Sequence, residues 1–156
     1  MSVNIDACWD IPNPFTVSKT VAAEHIDGLN HVNNAYYVMW CQDAGWGHSE
    51  HLGLDLNSYR ELNRAMAIRR SEYDYILSAY EGDEIIVGTW LTGNDSRLMM
   101  ERRFQIIRVS DGATLLRGRW DLVCIDMESG KPKRMPPPFK DIYGAAVVEI
   151  TDSSEA

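Results

Sequence analysis

HIDGLNHVNNAYY, residues 25–37, packs one aspartate, two histidines and three asparagines into thirteen positions. An apolar-periodic stretch follows at once, and it reads as a helix from about Asn34 to about Leu52 that stops at Gly53. Asn33 or Asn34 can cap that helix, because an Asn side chain accepts a hydrogen bond from the first free N–H groups. A helix start carries unpaired backbone N–H groups and a partial positive charge, so it can stabilise a developing anion. Asp27 stands four residues before His31, on the loop that leads into this spot.

Working outward, residues 1–14 form an arm that Pro12 and Pro14 keep irregular. Phe15 to Glu24 alternates as a strand does. On the long helix, Ala35, Val38, Gln42, Gly45, Ser49 and Leu52 fall along one side. Gly45 and Gly47 each cost ~1 kcal/mol against Ala inside a helix, which makes sense if the helix lies very close to a sheet. A second helical turn is expected near Asn57 to Leu62. The period then changes. Ala65 to Ala79, Glu84 to Gly93, Arg97 to Ser110 and Ala113 to Met127 read as long strands. Gly82-Asp83, Asn94-Asp95-Ser96 and Asp111-Gly112 supply the turns between them. Met66, Ile68, Tyr73, Tyr75 and Leu77 are the candidate buried positions of the first of these strands. The segment after Pro136-Pro137-Pro138 reads as a short helix through Phe139 to Ala146, and the tail TDSSEA as frayed. The result is an α+β chain in which a five-stranded antiparallel sheet curls around one long helix. Residues 15–138 make the domain, and 139–156 a C-terminal helical segment and tail. The outer face and edges of such a sheet need cover, so a homodimer or a dimer of dimers is expected.

The chain has 156 residues, enough to bury a core without disulfides or metal. No apolar run approaches the ~20 residues that span a bilayer. No secretory signal is visible in MSVNIDACWDIPNPF. Cys8, Cys41 and Cys124 are widely spaced and odd in number, which suits free thiols in a cytoplasmic protein. A net charge of −8 repels polyanions, so neither nucleic acid nor membrane is expected as a partner. A small phosphorylated ligand remains compatible with that charge, because local arginines outweigh a distant screened field.

The order of elements, with Asp27-Gly-Leu-Asn-His-Val-Asn-Asn-Ala-Tyr-Tyr at the loop-to-helix junction, resembles the hotdog-fold acyl-CoA thioesterases of the 4-hydroxybenzoyl-CoA thioesterase type. The form D-x-x-x-H-V-N-N-x-x-Y is also similar to long-chain acyl-CoA and acyl-carrier-protein thioesterases of the same superfamily. The resemblance covers about residues 15–138. It implies a hotdog fold and hydrolysis of an acyl-CoA to free CoA and a carboxylic acid. It places Asp27 at the catalytic aspartate, as base or nucleophile, and the backbone N–H near Asn34 at the donor that polarises the thioester carbonyl. His31, Asn30 and Asn33 shape the loop, with catalytic shares for Asn30 and His31 in some branches. Many relatives carry glutamate pairs and an arginine further along the helix, where this chain has Gln42, Asp43 and Gly45.

A thioester needs little beyond an oxyanion site and a base or nucleophile. Tyr36, Tyr37 and Trp40 lie at the helix start, and Trp46, Trp90 and Trp120 elsewhere. Aromatic walls suit a quaternary ammonium. That pattern resembles the betainyl-CoA thioesterase branch, with Tyr37 and Trp40 as substrate-binding residues beside Asn30 and Asn33. Candidate cations for the CoA phosphates are Arg97, Arg102, Arg103, Arg119 and the Lys131–Arg134 group. The competing readings are a non-catalytic acyl-CoA-binding module on the same fold, an acyl-carrier-protein thioesterase, a hotdog dehydratase, and a metal site built from His25, His31 and Asp27 with help from His48 and His51. No zinc pattern supports the last, no G-x-S-x-G motif supports a serine triad, and no cofactor is called for.

Overall fold

The computed structural model describes residues 3–150, so the tail 151–156 lies outside the described residues. Five strands form one sheet: β1 (Phe15–Thr20), β2 (Arg64–Tyr75), β3 (Glu84–Asn94), β4 (Met99–Arg108) and β5 (Thr114–Asp126), in the order β1-β3-β4-β5-β2. Two helices, α1 (Asn34–His51) and α2 (Leu56–Leu62), lie between β1 and β2 in the chain. A π-helical turn, Phe139–Tyr143, runs into a short helix, Gly144–Ala146. Among the described residues no helix is long and apolar enough to cross a membrane.

By contacts the chain divides into two compact units, one of Met1–His48, Tyr73–Thr89 and Phe104–Gly118, the other of Ser49–Glu72, Trp90–Arg103 and Arg119–Ala156. In the first, β1 pairs antiparallel with β3 from Phe15↔Thr89 to Thr20↔Glu84. A Cβ on Gly47 would sit 3.1 Å from the Phe15 ring, so the glycine lets α1 approach β1 closely, as the helix composition implied. Gly112 holds φ +71 in the turn that closes β4 onto β5, where Arg108 N–H donates to Ala113 O at 2.9 Å.

The arm is docked rather than loose. Buried Gln105 donates to Cys8 O at 3.1 Å and to Thr114 Oγ1 at 2.9 Å, and accepts Asp10 N–H at 2.9 Å. Arg117 grips both carboxylate oxygens of Asp10 at 2.7 and 3.1 Å. Trp9 lies so close over Gly88 that a Cβ there would stand 2.7 Å from its ring. Part of the cover expected from a second copy is therefore supplied by the chain's own arm.

In the second unit, Asp55 caps α2 by accepting Ser58 N–H at 2.8 Å, and Asn63 ends the helix in the left-handed region at φ 51. The β3–β4 turn is held by Asp95, whose Oδ1 accepts the N–H groups of Arg97, Leu98 and Met99. Phe139, fully buried, packs between Tyr59 and Tyr143 at centroid distances of 5.0 and 5.4 Å. Tyr59 and Tyr143 hydrogen bond through their hydroxyls, and the Tyr143 hydroxyl donates to Ser49 Oγ at 3.0 Å. Arg102 is buried beside them.

Three expectations are corrected. The buried stripe of α1 runs through Tyr37, Trp40, Cys41, Ala44, Gly45 and Ser49, whereas Ala35 and Gln42 are exposed. Small residues carry little hydropathy and large apolar ones, Met39 and Trp46, stay in solvent, so the pattern could not fix the face. Of the candidate core positions in the first long strand, only Met66 is buried; Ile68, Tyr75 and Leu77 are exposed because β2 is the last strand of the sheet and the chain leaves it after Tyr75. The first strand stops at Thr20, where Ala23–His25 turns as a 3-10 helix.

Candidate active site

The junction is built by short-range hydrogen bonds. Ile26 and Val32 face each other in an isolated antiparallel bridge, and Asp27 N–H donates to His31 O at 3.0 Å, so residues 27–31 form a closed loop. Asn30 takes the left-handed region at φ 69, a conformation that Asn tolerates better than most residues, and its N–H donates to Asp27 O at 3.1 Å. Asp27 Oδ1 accepts Leu29 N–H at 2.8 Å and lies 3.9 Å from His31 Nδ1. The Asp27 side chain keeps 29% of its surface open and His31 32%. Oδ2 accepts no hydrogen bond among the described residues, so that oxygen is left for water or a ligand.

Asn33 is the cap of α1. Its Oδ1 accepts Ala35 N–H at 3.0 Å and its carbonyl accepts Tyr36 N–H at 3.0 Å. Asn34 N–H, the first donor of the helix, meets no acceptor among the described residues. The loop is fastened at its base, where Val32 N–H donates to Ala79 O and Asn33 N–H to His25 O, both at 2.9 Å. Tyr37 OH accepts Ala79 N–H at 2.9 Å. Tyr37 and Trp40 are buried, with ring centroids 5.6 Å apart, and therefore act here as the packed floor under the helix start. Burial pushes the Tyr37 hydroxyl above its ordinary range, so it stays protonated.

The other candidates divide. Cys41 is fully buried and desolvation pushes its thiol far up, so it is not a nucleophile. Arg102 is only 2% exposed and cannot pair with a surface-bound phosphate, which corrects that assignment. Arg103 and Arg119 both hold Glu101, at 3.1 and 3.2 Å, and Arg119 also reaches Asp121 at 3.3 Å. Lys133 pairs with Asp126 at 3.5 Å, while Arg97, Lys131 and Arg134 are exposed. His48 stacks on Phe15 with centroids 5.3 Å apart, and among the described residues no three His, Cys, Asp or Glu side chains converge as a metal set. The role of Ala79, whose backbone serves both Val32 and Tyr37, was invisible in sequence because a long-range backbone contact leaves no side-chain signal.

Residues 21–142 match the family model of the thioesterase-like superfamily. A 1,4-dihydroxy-2-naphthoyl-CoA thioesterase from Synechocystis is similar at 20% identity over 85% of this chain and 96% of that one, with a TM-score of 0.75. A Staphylococcus aureus protein solved in complex with CoA gives 21% identity, 90% coverage of both chains and a TM-score of 0.79. The 12:0-ACP thioesterase from Umbellularia californica gives 15%, covering 91% of this chain and 57% of that one, with a TM-score of 0.78. These likenesses establish the fold, a hotdog arrangement of a five-stranded antiparallel sheet and a long helix. No curated protein matches the sequence significantly.

Proposed function

The chain belongs to the thioesterase-like superfamily, and from that premise we propose that it hydrolyses acyl-CoA thioesters, with Asp27 and the first turn of α1 as the machinery. The observation that carries this is the junction itself: a partly shielded carboxylate with one free oxygen, in the loop that runs straight into a capped helix whose first N–H is unused. The thioester carbonyl accepts Asn34 N–H, which stabilises the oxyanion as it forms; losing one such donor typically costs ~10²–10³ in rate. Asp27 Oδ2 either takes a proton from attacking water or attacks the carbonyl itself to give an anhydride that water then opens. The thiolate of CoA leaves, and the acyl group departs as a carboxylate. Asn30 and His31 hold the loop in which Asp27 is aimed.

Release of free thiol from a panel of benzoyl-, betainyl-, short- and long-chain acyl-CoA thioesters tests the reading. Expected is turnover of at least one member by the wild type and its loss in Asp27→Asn. Ligand-dependent stabilisation by CoA esters without thiol release would instead support the binding-module reading. Betainyl-CoA tests the aromatic-wall reading, and an acyl-carrier-protein thioester in the same panel separates the two carrier classes.

We also propose a homodimer, or a dimer of such dimers, built on β2. That strand is last in the sheet, and Tyr75, Ile76 and Leu77, at its end and just beyond it, are exposed. Light scattering on the purified protein checks this, and a monomer at micromolar concentration overturns it.

A further inference from the structure

His25 sits at the junction with no task in the hydrolysis just described. Its Nδ1 accepts Ala22 N–H at 2.9 Å. Its own N–H returns to Ala22 O at 3.0 Å, and its carbonyl accepts Asn33 N–H at 2.9 Å. Its ring stands against Tyr36 and, edge-on, against Trp40, with centroids 4.7 and 5.2 Å away. One residue therefore joins the segment leaving β1, the cap residue of α1, and the first two turns of α1. With Nδ1 occupied as an acceptor, the neutral ring carries its proton on Nε2.

We propose that His25 is a positioning residue for thioester hydrolysis: its side-chain acceptor, ring and carbonyl together fix where the first turn of α1 presents the Asn34 N–H. The inference rests on the hydrolase reading and names the residue that aims the oxyanion donor. A shift of about 1 Å in such a donor is enough to cost ~10²-fold in rate. A ring that only filled space would be replaceable by phenylalanine, whereas this role needs the acceptor at Nδ1.

Three variants separate the roles. His25→Ala removes the acceptor and the ring, His25→Phe keeps a ring without the acceptor, and His25→Asn puts an oxygen close to the place of Nδ1. Expected with an acyl-CoA that the wild type cleaves is a fall in kcat of ~10²-fold for His25→Ala and His25→Phe, with KM changed by less than about threefold, and recovery of at least about tenfold in His25→Asn. Amide hydrogen exchange at Ala35 and Tyr36, whose N–H groups Asn33 holds, should quicken in the Ala and Phe variants and stay near wild type in the Asn variant. Wild-type kcat in His25→Phe, or an Asn variant no better than Ala, overturns the proposal. If the wild type cleaves no thioester, the hydrolase reading fails and the catalytic role with it. Unchanged exchange in His25→Ala would then sink the clamp as well, and quickened exchange would leave the clamp standing without a reaction to serve.

Discussion

The loop Asp27–His31 and the cluster around Arg102 use similar polar groups and end in opposite states. In the loop, a carboxylate and an imidazole remain about a third open, one carboxylate oxygen is unengaged, and the next helix begins with an unused N–H. Around Arg102, two tyrosine hydroxyls and Ser49 are joined in a buried chain of hydrogen bonds. Desolvation lowers the Arg102 guanidinium to about 10, opposed by the hydroxyls of Tyr143 and Tyr59, so it remains a cation at neutral pH. Among the described residues no buried side-chain nitrogen or oxygen lacks a partner. The lesson is that polarity alone marks neither region as functional. Unspent hydrogen-bonding capacity beside solvent permits chemistry, and spent capacity inside the core specifies packing.

Substitutions should keep the two regions apart in what they damage. The largest effect is expected from Asp27→Asn, which should lower kcat by ~10³-fold or more, equivalent to ~4 kcal/mol, while the melting temperature moves by no more than about 2 °C. Thiol-release kinetics and calorimetry on one preparation check both halves; equal damage to stability would break the contrast. Next comes Arg102→Met. It should cost about 3 kcal/mol in denaturant unfolding, because two buried tyrosine hydroxyls lose a charged neighbour, and should leave kcat of the folded fraction within about threefold of wild type. A catalytic collapse without a stability loss would move Arg102 into the working site.

The succession of strands along the chain and the site loop were readable for the same reason: local chemistry announced them. The place of β2 beside β5 rather than beside β3 was not, because a turn signal does not say which strands pair. Asp111-Gly112 and Gly82-Asp83 mark turns that the chain makes, with Gly112 and Gly82 both at positive φ. The dense polar run ending at Asn34 sits where a helix begins. The fate of Arg102 was also legible in principle. On β4 it shares a face with Met100 and Phe104, both buried, while Arg103 points to the other side and remains partly exposed. Arg102 and Arg103 stood side by side among the candidate cations, and strand parity divides them. By contrast, the buried stripe of α1 was not legible, since Ala44 and Gly45 make contact through smallness rather than hydropathy. The exposed apolar side chains Ile68 and Tyr75 of β2 read as core because a sequence does not reveal which strand ends the sheet.

A smaller test sharpens the assignment of Asn30. At φ 69 its backbone favours Asn or Gly, and an alanine there should cost ~1 kcal/mol. If the residue works through backbone shape, Asn30→Gly keeps kcat within about twofold while Asn30→Ala loses about tenfold. If its amide touches substrate, both variants fall together. Steady-state kinetics on the two therefore decide whether Asn30 belongs to the machinery or to the loop that carries it.

The smallest effect expected is acid sensitivity, and it should touch the turns rather than the Arg102 cluster. The Arg108 guanidinium, hydrogen bonded to Asp111, holds that carboxyl below its usual value of 3.8. Burial raises Asp95, but the N–H groups of Met99, Arg97 and Leu98 outweigh it and leave that carboxyl lowered as well. A carboxylate depressed in the folded state stabilises the fold at every pH above its unfolded value, and the contribution fades as pH falls through the folded value. Stability should therefore be flat from neutrality to about pH 4 and decline below it, by only a fraction of 1 kcal/mol per turn because both groups face solvent. Asp111→Asn should flatten the decline slightly, as read from chemical denaturation between pH 5 and 2. The hydroxyl chain of Tyr59, Tyr143 and Ser49 is built without a carboxylate, and its tyrosines, raised by burial, lose protons only in alkali. An acid transition unaffected by Asp111→Asn and Asp95→Asn, yet moved by Tyr143→Phe, would place the acid-labile element in the core and undo the distinction between an open polar region and a closed one.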